Sequence, residues 1–380
     1  MIGVPIDVAG SSNVSLASVF LSKGVVFGAS SNGNNGGDSP RLLRIAFEPP
    51  GATDIFPRSQ TGNRPPEIAM AGDGLAWIQC SGGPDCRYVV ANPATDASAA
   101  SNLSRPNATL GAPSAMVADD DALYVALLDD TGSLNGAGSP DEPTWPDMTT
   151  VDVKAYPGDL VRIARADGGS QSARVGSAGG GFAFGYVRHL IAQDARNVYT
   201  VTADSAQQRV VRLGKSSWAA GPSTVASVAN GTSQAIVGLA AVGDTVAWAV
   251  VPALVPGSTG CEIGAIQTDG DGGAAAPARS ILQASTYTCW GLALDATHAY
   301  FTVVGLQTAS SGSSGQEHSV TFLVGTRIGR VPLAGGSAEF IDVGGTQYYG
   351  PRRVLVDDAF VYGIDPRVVL RVRKDVAWSK

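Results

Sequence analysis

Short runs in which apolar and polar residues alternate follow one another along most of the chain, separated by glycine, aspartate and asparagine. A period of two over about four to eight residues predicts strands with one buried face, and the turn residues predict tight hairpins between them. One unit recurs: an apolar strand, a Gly/Asp turn, then a strand carrying an aromatic. It reads EIAMAGDGLAWI around Trp77, AMVADDDALYVAL around Tyr124 and HLIAQDARNVYTV around Tyr199. It returns as GLAAVGDTVAWAV at Trp248, GLALDATHAYFTV at Tyr300 and RVLVDDAFVYGI at Tyr362, and a degenerate first copy, SVFLSKGVVFGA, holds Phe27. Successive aromatics stand 50, 47, 75, 49, 52 and 62 residues apart. A third strand often reads apolar-Arg-apolar, as in LLRI at Leu42–Ile45, LVRI at Leu160–Ile163, VVRL at Val210–Leu213, IGRV at Ile328–Val331 and VLRV at Val369–Val372. Neighbouring strand residues face opposite sides, so each arginine is expected in a different environment from its apolar neighbours. Turns such as Ala334-Gly335-Gly336 follow, where glycine supplies the positive φ of a tight hairpin, and a weaker fourth strand ends the copy.

Seven copies at roughly 50 residues each predict an all-β fold of seven four-stranded antiparallel blades. The last copy stops after its third strand, at Arg373. The chain begins with PIDVAG at Pro5–Gly10, close to FIDVGG at Phe340–Gly345, the fourth strand of the sixth copy. The N-terminal strand is therefore expected to complete the last blade, close the ring and remove an open sheet edge. On these repeats the chain resembles the seven-bladed β-propellers of bacterial exported proteins, the broad group with YxxD-like, NHL-like and SMP-30-like repeats. The resemblance covers nearly the whole chain and matches no subfamily signature. It implies a single domain over 1–380, with blades at about 14–58, 66–108, 114–177, 188–229, 236–284, 290–344, and 352–374 joined by 3–10.

Composition agrees with many short strands: 44% of residues are hydrophobic, 16% are charged, and there are 48 glycines and 22 prolines. That excludes a disordered chain or a coiled coil. A net charge of −7 disfavours nucleic acid and anionic lipid as partners. No apolar run reaches the roughly 18 residues of a membrane-spanning helix. MIGVPIDVAG lacks a basic stretch followed by an apolar run, so no signal segment is read there. The four cysteines have no zinc-site spacing and are read as two disulfides of an exported, periplasmic or surface protein. Five lysines beside 21 arginines fit a high-GC bacterial genome.

With strands labelled a to d outward from the axis, a–b and c–d turns open on one face, and b–c and d–a loops on the other. The a–b turns are all tight. Long b–c connections are read from Asp129 to about Gly158, from Gln307 to about Gly325 and from Ser30 to about Pro40. Loops of that length are usually functional, and in propellers that face surrounds the mouth of the central channel. In this register Cys80 closes strand b and Cys86 opens strand c of the second blade. Cys261 opens strand c of the fifth blade, and Cys289 lies in the d–a loop entering the sixth. The expected bridges are Cys80–Cys86 and Cys261–Cys289.

The d–a loops carry Tyr186, Arg188 and His189, then Trp290, then Tyr349 and Arg353. Aromatics beside arginines stack on sugars or planar ligands and pair with carboxylates. These six are the ligand-binding candidates, for a protein, glycan or small molecule at the loop-rich face. His189 is also the candidate general base of an alternative reading, a propeller hydrolase or lyase acting at the channel mouth. A structural scaffold is the third reading. His298 is placed in an a–b turn as solvated, and His318 in the long loop of the sixth blade. Asp129, Asp130 and Asp141 offer oxygen ligands for calcium, but their spacing departs from an EF-hand and a solvated acidic loop is preferred. There is no G-x-S-x-G, Walker A or H-E-x-x-H motif. A binding protein, exported or surface-associated, is the first expectation.

Overall fold

The computed structural model describes residues 4–7, 14–32, 41–54, 68–71, 74–80, 86–91, 101–103, 112–128, 156–165, 170–178, 190–203, 207–229, 234–252, 259–268, 277–311, 318–343, 353–365 and 368–380. Apart from one short 3-10 turn, Trp218–Ala220, every described element is a β-strand. They are β1 (Val4–Asp7), β2 (Val14–Ser22), β3 (Val25–Asn32), β4 (Arg41–Phe47), β5 (Pro50–Asp54), β6 (Ile68–Ala71), β7 (Gly74–Cys80), β8 (Cys86–Ala91), β9 (Ser101–Leu103) and β10 (Ala112–Ala118). There follow β11 (Ala122–Leu128), β12 (Tyr156–Ala164), β13 (Ser170–Ala178), β14 (Ile191–Gln193), β15 (Asn197–Ala203), β16 (Gln207–Gly214), β17 (Ser223–Ala229), β18 (Gln234–Val242) and β19 (Thr245–Pro252). The remainder are β20 (Cys261–Gln267), β21 (Arg279–Ala284), β22 (Thr288–Leu294), β23 (His298–Ser311), β24 (His318–Pro332), β25 (Glu339–Asp342), β26 (Arg353–Val356), β27 (Phe360–Ile364) and β28 (Val368–Arg373).

These strands build a β-propeller of four-stranded antiparallel blades. The expectation of seven blades is corrected, because the described strands form six sheets. Five have four strands and one has eight, since β13 and β15 meet at a single pair, Ala178 and Thr202. That pair links the β10–β13 and β14–β17 meanders. β1 pairs antiparallel with β28, with Val4 opposite Arg371 and Asp7 opposite Val368. The first strands of the meanders (β2, β6, β10, β14, β18, β22 and β26) lie against one another in that order, and β26 also lies against β2.

The arginine pattern resolves as its alternation predicts. Arg44 is exposed and Arg162, Arg212, Arg330 and Arg371 are half-buried, while Leu43, Ile45, Val161, Ile163, Val211, Leu213, Val331, Leu370 and Val372 are buried on the alternate positions. Each arginine stands opposite the repeat aromatic of the preceding strand: Phe27–Arg44, Tyr124–Arg162, Tyr199–Arg212, Tyr300–Arg330 and Tyr362–Arg371. The buried faces pack blade against blade. One apolar cluster joins Ala247, Ile263 and Leu282 to Leu292, Phe301 and Phe340. Another joins Ile6, Tyr362 and Val369 to Leu16, Leu43 and Phe47. Where the aromatic is the larger Trp248, its cross-strand partner is Gly264, and a Cβ there would lie 2.5 Å from the indole.

Three expectations about the sixth copy change. Gln307–Ser311 and His318–Val324 are strand rather than loop, because β23 and β24 pair from His298–Pro332 to Ser311–His318 as a long ribbon with one register shift at Val303/Val304. His318 therefore belongs to a strand. Cys289 and Trp290 lie within the inner strand β22, not in the loop before it, since pairing begins already at Thr288 opposite Val304. Cys261 and Cys289 are bonded, tying β20 to β22 across a sequence separation of 28. Cys80 and Cys86 stand directly opposite in the β7–β8 ladder.

Two stability outcomes follow. Gly264→Ala drives a methyl into the Trp248 ring and is expected to destabilise by about 1–3 kcal/mol, as overpacked cores do. Replacing both Cys261 and Cys289 by Ser releases a closed loop and is expected to cost about 3–4 kcal/mol. Urea unfolding of each variant beside the wild type reads both; an unchanged midpoint for Gly264→Ala would mean that the tight Trp248 contact relaxes freely.

Candidate functional site

Four a–b turns share one construction. A carboxylate oxygen of Asp119 accepts the amides of Asp121 and Ala122, at 3.0 and 2.8 Å, and its other oxygen accepts the Tyr124 hydroxyl at 3.1 Å. Asp194 repeats this with the amides of Arg196 and Asn197 and with Tyr199 at 2.6 Å. Asp295 does so with Thr297, His298 and Tyr300 at 2.8 Å, and Asp357 with Ala359, Phe360 and Tyr362 at 2.7 Å. Burial, then the paired carboxylate, pushes all four tyrosine hydroxyls far above their ordinary range. They are hydrogen-bond donors at any ordinary pH, not bases. Burial also pushes Asp295 up, but the hydrogen bonds from Lys374, the Thr297 and His298 amides and Tyr300 outweigh it and hold the carboxyl well below the usual range.

The next meander reaches back to each clasp from the residue just past its third strand. Lys215 lies 2.8 Å from Asp119 and over the Tyr124 ring. Lys374 lies 2.6 Å from Asp295 and over the Tyr300 ring. Thr268 donates its hydroxyl to the Asp244 carbonyl at 3.2 Å beside Tyr199, and Phe47, the last residue of β4, packs on Tyr362 with ring centroids 5.7 Å apart. The same end of the molecule holds His298, which the sequence placed in solvent. It opens β23, is half-buried, and has Nδ1 2.8 Å from the Thr297 hydroxyl. Burial and the nearby Arg330 push its pKa down. Arg330 donates through Nε and Nη2 to Glu339 at 2.9 and 2.7 Å and stacks on Trp378, while Ser379 pairs with Phe340. Lys215, Lys374 and Arg330 each meet a carboxylate here, so this end reads as a fastening.

Of the six binding candidates the described residues include two, Trp290 and Arg353, at the opposite end, where b–c and d–a connections lie. Trp290 is half-buried in β22, packs against the core below it, and its carbonyl accepts the Thr302 hydroxyl at 2.6 Å. Arg353 is the half-buried first residue of β26. Trp290 stands opposite Thr302, two residues beyond Tyr300, and Arg353 opposite Ile364, two beyond Tyr362. The two thus hold equivalent positions on adjacent inner strands. Register shifts recur close by: Leu16/Ser18, Pro113/Ala115, Ile236/Gly238 and Trp290/Ala293. Bulges of this kind redirect side chains at barrel and propeller rims. Below the rim, buried Gln208 donates to the Gln234 carbonyl and accepts the Ile236 amide, fixing β16 to β18. Tyr186, Arg188, His189 and Tyr349 lie outside the described residues, as do Asp129, Asp130 and Asp141. Among the described residues no group of acidic, histidine or cysteine side chains is placed to hold a metal ion.

Sequence reading missed the Asp–Tyr clasps. Their signal was present: every copy with a tyrosine has aspartate five residues earlier, and the copies with Phe27, Trp77 and Trp248 have Ser22, Gly72 and Gly243 there.

Neither a protein-family model nor a curated protein sequence matches the chain. Solved structures match at the level of the fold. A puromycin-hydrolyzing peptidase of Mycobacterium tuberculosis superposes with a TM-score of 0.56 at 11% identity, over 97% of this chain and 53% of the peptidase. The β-propeller domain of the trilobed protease from Pyrococcus furiosus, with an open velcro topology, superposes with 0.55 at 7% identity over 97% and 95%. YCF48 bound to D1 peptide superposes with 0.53 at 9% identity over 100% and 98%. The chain spans about half the length of the matched peptidases: 48% of a prolyl endopeptidase, 51% of an acylaminoacyl peptidase and 53% of the puromycin-hydrolyzing enzyme.

The clasp makes a pH-dependent prediction. Asp295→Asn keeps the shape but removes the charge that holds Lys374 and the turn amides, an expected loss of about 1–3 kcal/mol at neutral pH. Because the folded carboxyl is depressed, its stabilisation is complete above its ordinary value of 3.8 and is lost as the pH falls below it. The gap between wild type and variant should therefore narrow in acid. Urea unfolding at neutral and at acidic pH measures it, and an equal gap at both would remove the charge from the explanation.

Proposed function

We propose that this chain is an exported or surface-associated binding protein built as a seven-bladed propeller, with its ligand held at the face of the b–c and d–a loops. The eight-stranded sheet counts as two blades in this reading, since one residue pair joins two complete four-stranded meanders. The β1–β28 ladder and the succession of inner strands, with β26 against β2, support a ring closed by the N-terminal strand.

The observation that carries the binding assignment is the contrast between the two ends. At one end the Asp119 and Asp295 clasps are tied to the following meander by Lys215 and Lys374. At the other, an aromatic and an arginine occupy equivalent positions on neighbouring inner strands beside recurrent bulges. An indole and a guanidinium side by side suit a planar or carboxylate-bearing group, including those of polypeptides. YCF48, matched over nearly its whole length, is bound to a peptide, which favours a polypeptide among the candidate ligands. The Cys261–Cys289 bond favours an oxidising compartment, and Cys80–Cys86, opposite in their ladder, is the proposed second bridge.

A thermal-shift screen of the oxidised protein against peptide pools, glycans and small carboxylates tests the reading. A ligand in hundredfold excess over its Kd stabilises by about 2.7 kcal/mol. That shift, read for each variant against its own unliganded melting temperature, is expected to vanish in Trp290→Ala and in Arg353→Ala. A shift that both variants retain, or turnover of the bound compound, would overturn the proposal.

A further inference from the structure

The β23–β24 ribbon outgrows its blade. On its inner side β22 begins pairing at Thr288–Val304, and on its outer side β25 ends at Arg327–Asp342. Beyond those points the pairs from Gly305–Val324 to Ser311–His318 continue with no flanking strand among the described residues. At about 3.3 Å per residue this is an arm of roughly 20 Å, rising from the end where b–c connections lie. A bare two-stranded ribbon is marginal in water. Open edges in natural sheets are normally guarded by lysine, proline or bulges. Here the one register shift lies at the foot of the arm, at Val303/Val304, and from Gly305 to Gly325 there is no proline, lysine or arginine, and the one acidic residue is Glu317, between the strands. The β24 part reads HSVTFLV, rich in β-branched and aromatic residues. Period-two alternation puts Val320, Phe322 and Val324 on one face, opposite Ala309, Gln307 and Gly305.

We infer that the outer edge of this arm, His318–Val324, takes up an extended, uncharged polypeptide segment as an added strand. The edge names the chemistry of its occupant, because main-chain donors and acceptors repeating at strand spacing are matched by another extended main chain. The neutrality of the arm selects against charged segments. The inference rests on the binding reading above and names the ligand class for this part of the same face.

The test uses the full, oxidised chain and a short fluorescein-labelled peptide of alternating threonine and valine with a serine at each end. Fluorescence anisotropy is expected to show saturable binding. N-methylation of alternate peptide amides, which removes main-chain donors and leaves side chains alone, should weaken it at least about tenfold, the cost of roughly one or two hydrogen bonds. V320K/F322K should weaken it similarly with an unchanged melting temperature, and Thr321→Lys gives a second, milder guard if the double variant does not fold. Equal binding of the N-methylated peptide, or equal binding by the guarded variants, overturns the inference. So does a dimer of the free chain in sedimentation that V320K/F322K dissolves, which would assign the edge to a second copy. A ligand shift that depends on Trp290 without any peptide uptake by the arm overturns this inference and leaves the binding reading standing. Peptide uptake abolished by V320K/F322K but intact in Trp290→Ala supports the arm even if the Trp290 site fails.

Discussion

A carboxylate that accepts two turn amides and a buried phenol is the contact on which the described blades depend. The tight a–b turn leaves amides that must find acceptors, and a tyrosine ring placed in the core must find a partner for its hydroxyl. One aspartate meets both needs at Asp119, Asp194, Asp295 and Asp357. Hydrogen bonds to a charged acceptor are worth about 1.5–3 kcal/mol each, and here they fix the hairpin and the depth of the ring together. Lys215 and Lys374, reaching back from the following meander, turn a local device into a joint between neighbours. The hairpins of Asp119 and Asp295 are thus locked internally and to the following meander by the same few atoms.

Where the clasp is missing, shape takes over. The copy built around Trp248 has Gly243 in place of the aspartate, and the broad indole lies over Gly264 rather than over an arginine. Phe301 lies over Gly329 in the same manner, one residue after the Tyr300 clasp. Polar fixation and close packing are interchangeable solutions to one constraint, that adjacent blades must meet at a constant spacing around a common axis. The buried Gln208 bridge between β16 and β18 serves that spacing through main-chain groups instead.

Much of this was legible in the order of residues. The aromatic repeat located the second strands, the apolar-Arg-apolar triplets located the third, and the likeness of PIDVAG to FIDVGG anticipated that β1 pairs with β28 as an outermost strand. Period-two alternation carries such information because a strand shows each residue to one side only. What escaped has physical reasons. The stretch from Gln307 to Gly325 is rich in Gly, Ser and Gln, which reads as a loop, yet its β-branched half pairs as a ribbon. The link between β13 and β15 is one residue pair long and leaves no pattern. Trp290 was assigned to a loop because Gly291, with φ of 61°, interrupts the alternation of β22 at its bulge. The Asp–Tyr clasps were overlooked although their spacing of five is constant, because a side chain bonding to its own turn crosses from one strand to the next.

The partnership of β1 with β28 also orders events in time. The two strands lie at opposite ends of the described chain, Val4 against Arg371. At a synthesis rate of about 5–20 residues per second, the first strand waits roughly 20–70 s before its partner exists. The intervening meanders consist of neighbours in sequence and can form as they emerge, whereas this ladder closes the longest loop in the molecule and belongs to the slowest class of contacts. Until then the blade of β26–β28 lacks its fourth strand. The sheet of β26–β28 is thus the last of the described sheets to gain all its strands.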